Sequence, residues 1–459
     1  MEPGTTGALR YAVHAAMPRA RADLAALVAI RSVADPCVEP VSECRRAAGA
    51  VQRLFTEVGV GDVHAVETSD GSLAVLGHTP GPPGAPTVLL YSHYDVQPPG
   101  DEREWLTPPW ELTEVDERWY GRGAADCKGN LVMHLTALRA LGRPFPVGVR
   151  VVCEGSEEQS SGGLEALVRS NPEAFAAEVV LVADAGNVEL GVPSVTTSLR
   201  GTGSVLVSVR TMERPAHSGM FGGAAPDALQ ALVHMLATLR DTDGETTVRG
   251  LDAGQRWSGA AYPRERFRAE AAVLPGVRVL GREEVGDAVW ARPAATVLAI
   301  DAPSVEGAGA AVQPVARALV NLRVPPGTDA VHAQDLLIAH LEQVAPWGAH
   351  VEVKRVSLGQ PFRARTDGPA FAALGRAMGE AFERPMVSTG QGGSIPLCPA
   401  LAEVLPDAEI LVIGVEEPSC RIHAPGESVD PAELERTAQA EALLLQDLGA
   451  TSPARASGS

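Results

Sequence analysis

The chain has 459 residues, more than one ordinary core holds, so two domains or one domain with a large insertion are expected. Its net charge is −19, and so acidic a surface argues against nucleic acid as a partner, because phosphate binding needs clustered Lys and Arg. No apolar run nears the roughly 18 residues that span a bilayer; no basic-then-apolar leader opens the sequence and its six cysteines form no Cys-x-x-Cys pair, so a cytoplasmic protein with no membrane partner and no thiolate zinc site is expected.

Helical apolar spacing runs over Asp23–Ile30 and Arg45–Val58. Thr87–Tyr91 is a short apolar run after PGPPGAP and predicts a buried strand. Lys128–Leu141 predicts a helix that stops at Gly142-Arg-Pro, and Val147–Cys153 a second buried strand. A helix begins at Leu164–Arg169, and Val179–Ala183 and, much later, Ile410–Val415 predict two more strands. Strands alternating with helices imply an α/β fold with a mostly parallel sheet covered by helices on both faces.

Between Ser198 and Arg365 the pattern changes. Strands at Ser204–Arg210, Thr296–Asp301, Val315–Val324 and His350–Val356 and helices at Pro226–Arg240 and Asp329–Val344 give the order β-α-β-β-α-β, that of a ferredoxin-like α+β sandwich. The stretch from Arg240 to Arg292 is polar and glycine-rich and fits neither period. Residues 1–197 and 366–459 thus predict the two parts of one catalytic domain, with 198–365 inserted between them. The tail Thr451–Ser459 is expected to be disordered.

Four strands of the first domain run into acidic or histidine residues: Ser92-His93-Tyr94-Asp95, Glu154-Gly-Ser-Glu157-Glu158, Asp184, and, after a loop, His423-Ala-Pro-Gly-Glu427. Between the first two lies the glycine-rich segment Gly121–Asp126. In open α/β sheets the ligand site lies beyond the carboxyl ends of the strands, so five segments deliver His, Asp and Glu to one edge. Taken singly, each has an ordinary reading: an exposed turn, a helix cap, a surface histidine. Taken together, two histidines and three carboxylates suit divalent ions such as zinc, manganese or cobalt. A carboxylate can bridge two such ions, which ionise a shared water while a spare carboxylate takes its proton.

In order along the chain, SHYDVQP (92–98), GRGAADCKG (121–129), EGSEEQSSGG (154–163), ADAG (183–186), AHSGMFGG (216–223), NLRVPPG (321–327), GGSIP (392–396) and HAPGE (423–427) resemble the aminoacylase/carnosinase-type family of two-metal metallopeptidases, its dipeptidase-like branch in particular. The resemblance implies that Asp126 bridges two metal ions, His93 and Asp184 completing one site and Glu158 and His423 the other. It makes Asp95 the carboxylate that orients a ligand histidine. Glu157 becomes the general base that activates a metal-bridging water. The inserted domain is similar to the family's lid and dimerisation domain: His217 would polarise the scissile carbonyl, Arg323 would clamp the substrate carboxylate, and Gly393 and Ser394 would hold that carboxylate from a loop. A cis Asp126–Cys127 peptide and a homodimer are also implied.

Several positions depart from the family pattern: Ser160 for Gly, Gly390-Gln391 for Arg-Glu, Ala311 for Asn or Thr, and Gly426 for Asn. They leave the ligands and the base in place and bear on substrate choice. The expectation is a hydrolase using two divalent ions, zinc first, on the amide bond of dipeptides or similar small substrates with a free carboxylate. The alternatives are a deacylase of N-acyl amino acids or another specialised amidohydrolase and, in a different class, a catalytically idle binding or regulatory protein on this fold.

Overall fold

The computed structural model describes residues 3–160 and 162–450; the tail 451–459, expected to be disordered, lies outside the described residues. The described residues fall into two compact units, one drawn from 3–160, 162–197, 364–389 and 395–450 and the other from 198–363 and 390–394.

The first unit is built on a six-stranded sheet in the order His64–Glu67, Leu73–Thr79, Gly148–Glu154, Thr87–His93, Val179–Ala183, Glu409–Ile413. The last four strands are mutually parallel. Both central strands and Glu409–Ile413 are buried along nearly their whole length. Because successive side chains point to opposite faces, burial of every residue means that both faces are covered. Long helices at Pro3–Val28, Lys128–Leu141, Pro369–Phe382 and Pro431–Ala450 pack on one another and into this core.

Two features were not foreseen. Pro3–Val28 begins far upstream of Asp23 and runs through Pro18, a residue that usually breaks a helix at about 3 kcal/mol. Leu9, Val13, Met17, Ala20, Leu24 and Leu27 recur every three or four residues and are all buried, and this packing outweighs the proline. The other is the hairpin His64–Glu67/Leu73–Thr79, added antiparallel at the sheet edge. Its strands are short and its outer one half polar, so periodicity is weak there. Since Val75 pairs with Cys153, the hairpin tip at 68–72 arrives at the carboxyl ends of the parallel strands.

The second unit carries a four-stranded antiparallel sheet in the order Ala294–Asp301, Val315–Val324, Gly201–Arg210, His350–Gly359. In chain order that is 2-3-1-4, the ferredoxin-like arrangement. Helices Ala228–Ala237 and Ala330–Gln343 pack on one face through Ala231, Leu232, Met235, Leu337 and Leu341. The stretch 240–292 folds around a short helix Arg264–Glu270 and a π-helical turn Asp287–Ala291. Tyr262 stacks on Trp290 at 5.1 Å and Trp257 meets it edge-on at 5.2 Å. Residues 390–394, expected in the catalytic part, pack instead with this unit because Gly390 lies against Trp290 and Gly392 against Arg200.

Candidate active site

The Thr87–His93 strand ends beside Glu154, so His93 emerges at the carboxyl edge of the sheet. His93 is fully buried, and its Nδ1 lies 3.0 Å from the carbonyl of Asp95. That contact assigns the ring hydrogen to Nδ1 and leaves the Nε2 lone pair facing Asp126 Oδ1 at 3.1 Å and Asp184 Oδ1 at 3.2 Å. On the opposite side His423 Nε2 stands 2.9 Å from Asp126 Oδ2 and 3.2 Å from Glu158 Oε2. Asp126 therefore turns one oxygen to each histidine and joins two ligand sets.

Six donor atoms from five residues converge here, and among the described residues no lysine or arginine pairs with Asp126, Glu158 or Asp184. Glu158 Oε1 is buried with no hydrogen-bond partner. A buried carboxylate oxygen without a donor is costly unless a cation sits beside it. Hydrogen bonds to Asp126 and Glu158 push the His423 imidazolium up to about 10. Burial depresses the His93 imidazolium, but the surrounding acids outweigh burial and raise it well above its ordinary value. Such a donor set calls for positive charge, and divalent ions fit it. Cys127 also lies within reach of His93 and Asp184. Burial drives its thiol pKa up, and Sγ donates to the Ala183 carbonyl at 3.1 Å, so it is a hydrogen-bonded thiol.

The loops carrying these donors are themselves held. Asp95 accepts the backbone N–H groups of Glu157 and Glu158 at 3.2 and 3.0 Å. From the other side Ser156 Oγ donates to Asp70 Oδ2 at 2.7 Å, at the tip of the edge hairpin. Glu427, fully buried, accepts from the N–H groups of Gly123, Ala125 and Asp126 at 2.9–3.0 Å and from Arg122 Nη1 at 2.7 Å. It thus ties the Asp126 loop to the His423 loop. Gln97 Nε2 donates to Glu158 Oε2 at 2.9 Å. Sequence reasoning assigned roles to none of Asp70, Gln97 and Glu427. Glu427 stood inside a quoted motif, but its task is set by backbone N–H groups three hundred residues away, which no local pattern encodes.

Glu157 lies outside both donor sets. Burial first, and then Asp184, hold its carboxyl well above the usual range. The Asp126–Cys127 peptide is cis, as the resemblance implies, and His423 has φ +61°, a left-handed conformation rare outside glycine and common at functional sites. Ser160 has φ +48° and Gly426 φ +82°. Both departures thus fall at left-handed positions; glycine and asparagine both enter that region readily, which is why Gly426 can stand for Asn.

In the second unit His217 is exposed and pairs with Ala311 across a two-residue ladder. Its Nδ1 accepts from Gly219 N at 3.1 Å, so Nε2 carries the hydrogen and is free to donate. Arg323 is half-buried opposite Thr202. Gly393 is exposed at the crest of the 390–394 loop, with Ser394 partly buried beside it.

The family model of peptidase family M20/M25/M40 matches residues 89–447. The chain is 44% identical over 409 residues to the cysteinylglycine-S-conjugate dipeptidase of Corynebacterium striatum, covering 88% of this chain and 90% of that one. Its fold superposes with TM-score 0.82 on human carnosine dipeptidase 1, at 23% identity, and with the same score on the dipeptidase Dug1p of Saccharomyces cerevisiae, at 21%. Each superposition covers 97% of this chain and 99% of the other. The ordered motifs, the ligand-bearing sheet edge and these matches agree, and the chain belongs to peptidase family M20/M25/M40.

Proposed function

We propose that this peptidase is a metal-dependent dipeptidase that uses Glu157 as general base. The observation that carries the reading is Asp126, whose two oxygens each face one histidine-carboxylate set. His93, Asp126 and Asp184 would hold one divalent ion and Asp126, Glu158 and His423 a second, with zinc the first choice and manganese or cobalt as alternatives. Bound there, the ions supply Lewis acidity that acidifies water and polarises a carbonyl oxygen.

Glu157, its carboxyl held well above the usual range by burial, takes a proton from the attacking water and returns it to the leaving amine. Asp95 keeps Glu157 and Glu158 in place through their backbone N–H groups. His217 donates Nε2–H to the carbonyl oxygen as negative charge develops on it. Arg323 receives the substrate carboxylate through its guanidinium fork, with Gly393 and Ser394 offering backbone and hydroxyl donors.

The active unit is a homodimer in this reading. Support comes from the outer strand Ala294–Asp301 of the inserted unit, which leaves Val297, Leu298 and Ile300 exposed for a second copy. The cysteines of the described structure are all unpaired, and no described helix is long and apolar enough to cross a membrane, which supports a cytoplasmic setting.

A second reading, deacylation of N-acyl amino acids, draws on Gly390 and Ala311. Trp290 fills the space beside Gly390, where relatives of the dipeptidase branch have arginine, and His217 faces a plain methyl at Ala311. The test strips the protein of metal, reloads it with zinc, manganese or cobalt, and offers dipeptides and N-acyl amino acids in parallel. Metal-restored dipeptide hydrolysis is expected. Cleavage of N-acyl amino acids alone would favour the second reading, and loaded protein inert to both panels would overturn the hydrolase.

A further inference from the structure

Arg200 stands at the head of the Gly201–Arg210 strand and is 7% exposed. Its backbone N–H donates to the Gln391 carbonyl at 3.3 Å, which ties it to the 390–394 loop. Nη1 donates to the carbonyls of Ala288 and Arg292 at 3.2 and 3.4 Å, fixing the guanidinium plane. Nε is buried and has no partner among the described residues. Nη2 points at Gly392: a Cβ added there would lie 2.9 Å from it. Glycine at 392 therefore lets Nη2 come up against the loop with no side chain of residue 392 between them.

The charges around Arg200 are wrong for a structural ion pair. Its electrostatic neighbours are Arg323 and Arg240, and with burial they push its pKa down to about 10, so it stays charged at neutral pH. Arg323 pairs with Thr202, two residues beyond Arg200, which sets both arginines at one end of the sheet. Neither has a carboxylate partner among the described residues, in a chain whose net charge is −19. A buried cation beside a second cation, with donors left over, is costly unless an anion joins them. Two guanidinium forks suit one carboxylate or a pair of acidic oxygens.

We propose that Arg200 is a second cation of the substrate-carboxylate subsite, acting with Arg323 and reaching the carboxylate past the bare backbone of Gly392. This rests on the reading that the substrate has a free carboxylate next to the scissile amide. Arg323 then takes the carboxylate from the sheet and Arg200 from behind the loop, while Ser394 donates from the loop itself. The pair selects for the acid over any neutral C-terminal form.

The test compares alanylalanine with its C-terminal amide, or an N-acyl amino acid with its amide if that is the class turned over. The metal-loaded wild type, Arg200→Gln and Gly392→Ala are measured side by side. Wild type is expected to favour the acid. Arg200→Gln should cut kcat/KM for the acid by about 10- to 100-fold, mostly in KM, the size of a lost charge-assisted hydrogen bond, and leave the amide unchanged. Gly392→Ala leaves the Arg200 side chain in the sequence but sets a methyl group 2.9 Å from Nη2, crowding it away from the loop, and should produce the same selective loss. It decides the matter if Arg200→Gln fails to fold. Folded variants that lower acid and amide equally, or keep the wild-type ratio, would overturn the role of Arg200 and leave the carboxylate reading standing. A wild type indifferent to acid or amide would overturn both.

Discussion

Around Asp126 the ligand-bearing loops are locked by a further layer of bonds, whereas around His217 and Arg323 the donors are left open. His93 is pinned by Asp95, Asp126 by Glu427, and Glu158 by Asp95 and Gln97. Among the described residues, no partner takes His217 Nε2 or pairs a carboxylate with Arg323, and Gly393 is bare. On the proposed function, the difference follows from what each region would hold. A metal cradle gains from ligands fixed before the ion arrives. A substrate site must leave donors unpaired so that the substrate can satisfy them.

That contrast can be broken by mutation. The largest effect is expected from Glu157→Gln: kcat should fall by about 10²–10⁴, the usual range for a lost general base, with bound metal unchanged by elemental analysis. Metal loss would instead place Glu157 in the cradle. His217→Ala should cost about 10²–10³ in kcat, as for a lost oxyanion donor, with circular dichroism and metal content intact. Glu427→Ala should do the reverse of His217→Ala. It should weaken metal retention about 10- to 100-fold in a chelator competition, because the Asp126 loop loses its anchor. Ser156→Ala removes the link to Asp70 at a cost of about 1 kcal/mol, so roughly fivefold in kcat is expected with KM unaltered.

The smallest effect lies in the buried frame. His134 Nδ1 sits 2.8 Å from Glu441, and although burial opposes it, that carboxylate raises the imidazolium pKa. A raised folded-state value means that the pair stabilises fully below the unfolded value of about 6.5 and loses that contribution as pH climbs through the folded one. The melting-temperature gap between wild type and Glu441→Gln should therefore narrow with rising pH above neutrality. A gap that widens would contradict the assignment.

Much of the first unit could be read from sequence because its strands are uniformly apolar and end abruptly in polar residues. Val179–Ala183 and Lys128–Leu141 have the predicted bounds, and the other strands of the parallel set differ by at most two residues at either end. The ferredoxin-like order was equally visible from its alternating periods. What escaped was set at long range. Pro3–Val28 survives Pro18 only through tertiary burial. The 240–292 stretch is held by aromatic stacking and by Arg292, which pairs with Glu245, Glu283 and Asp287, and such ties leave no period. Arg200 and Glu427 matter through backbone atoms distant in the chain, so their identity was readable but their partners were not.

The contact between Trp290 and Gly390 restricts which sequences can follow this one. A Cβ at residue 390 would sit 2.6 Å from Cβ and Cγ of Trp290, far inside contact distance. No side chain can return to position 390 while the indole remains, and removing the indole first would empty a stacked aromatic core around Tyr262. The two positions are therefore mutually contingent. An arginine at 390 could arise only by passing through a destabilised intermediate or by changing both residues at once. Whatever preference this loop now encodes is fenced in by packing, so drift is expected to keep it even under weak selection for the substrate.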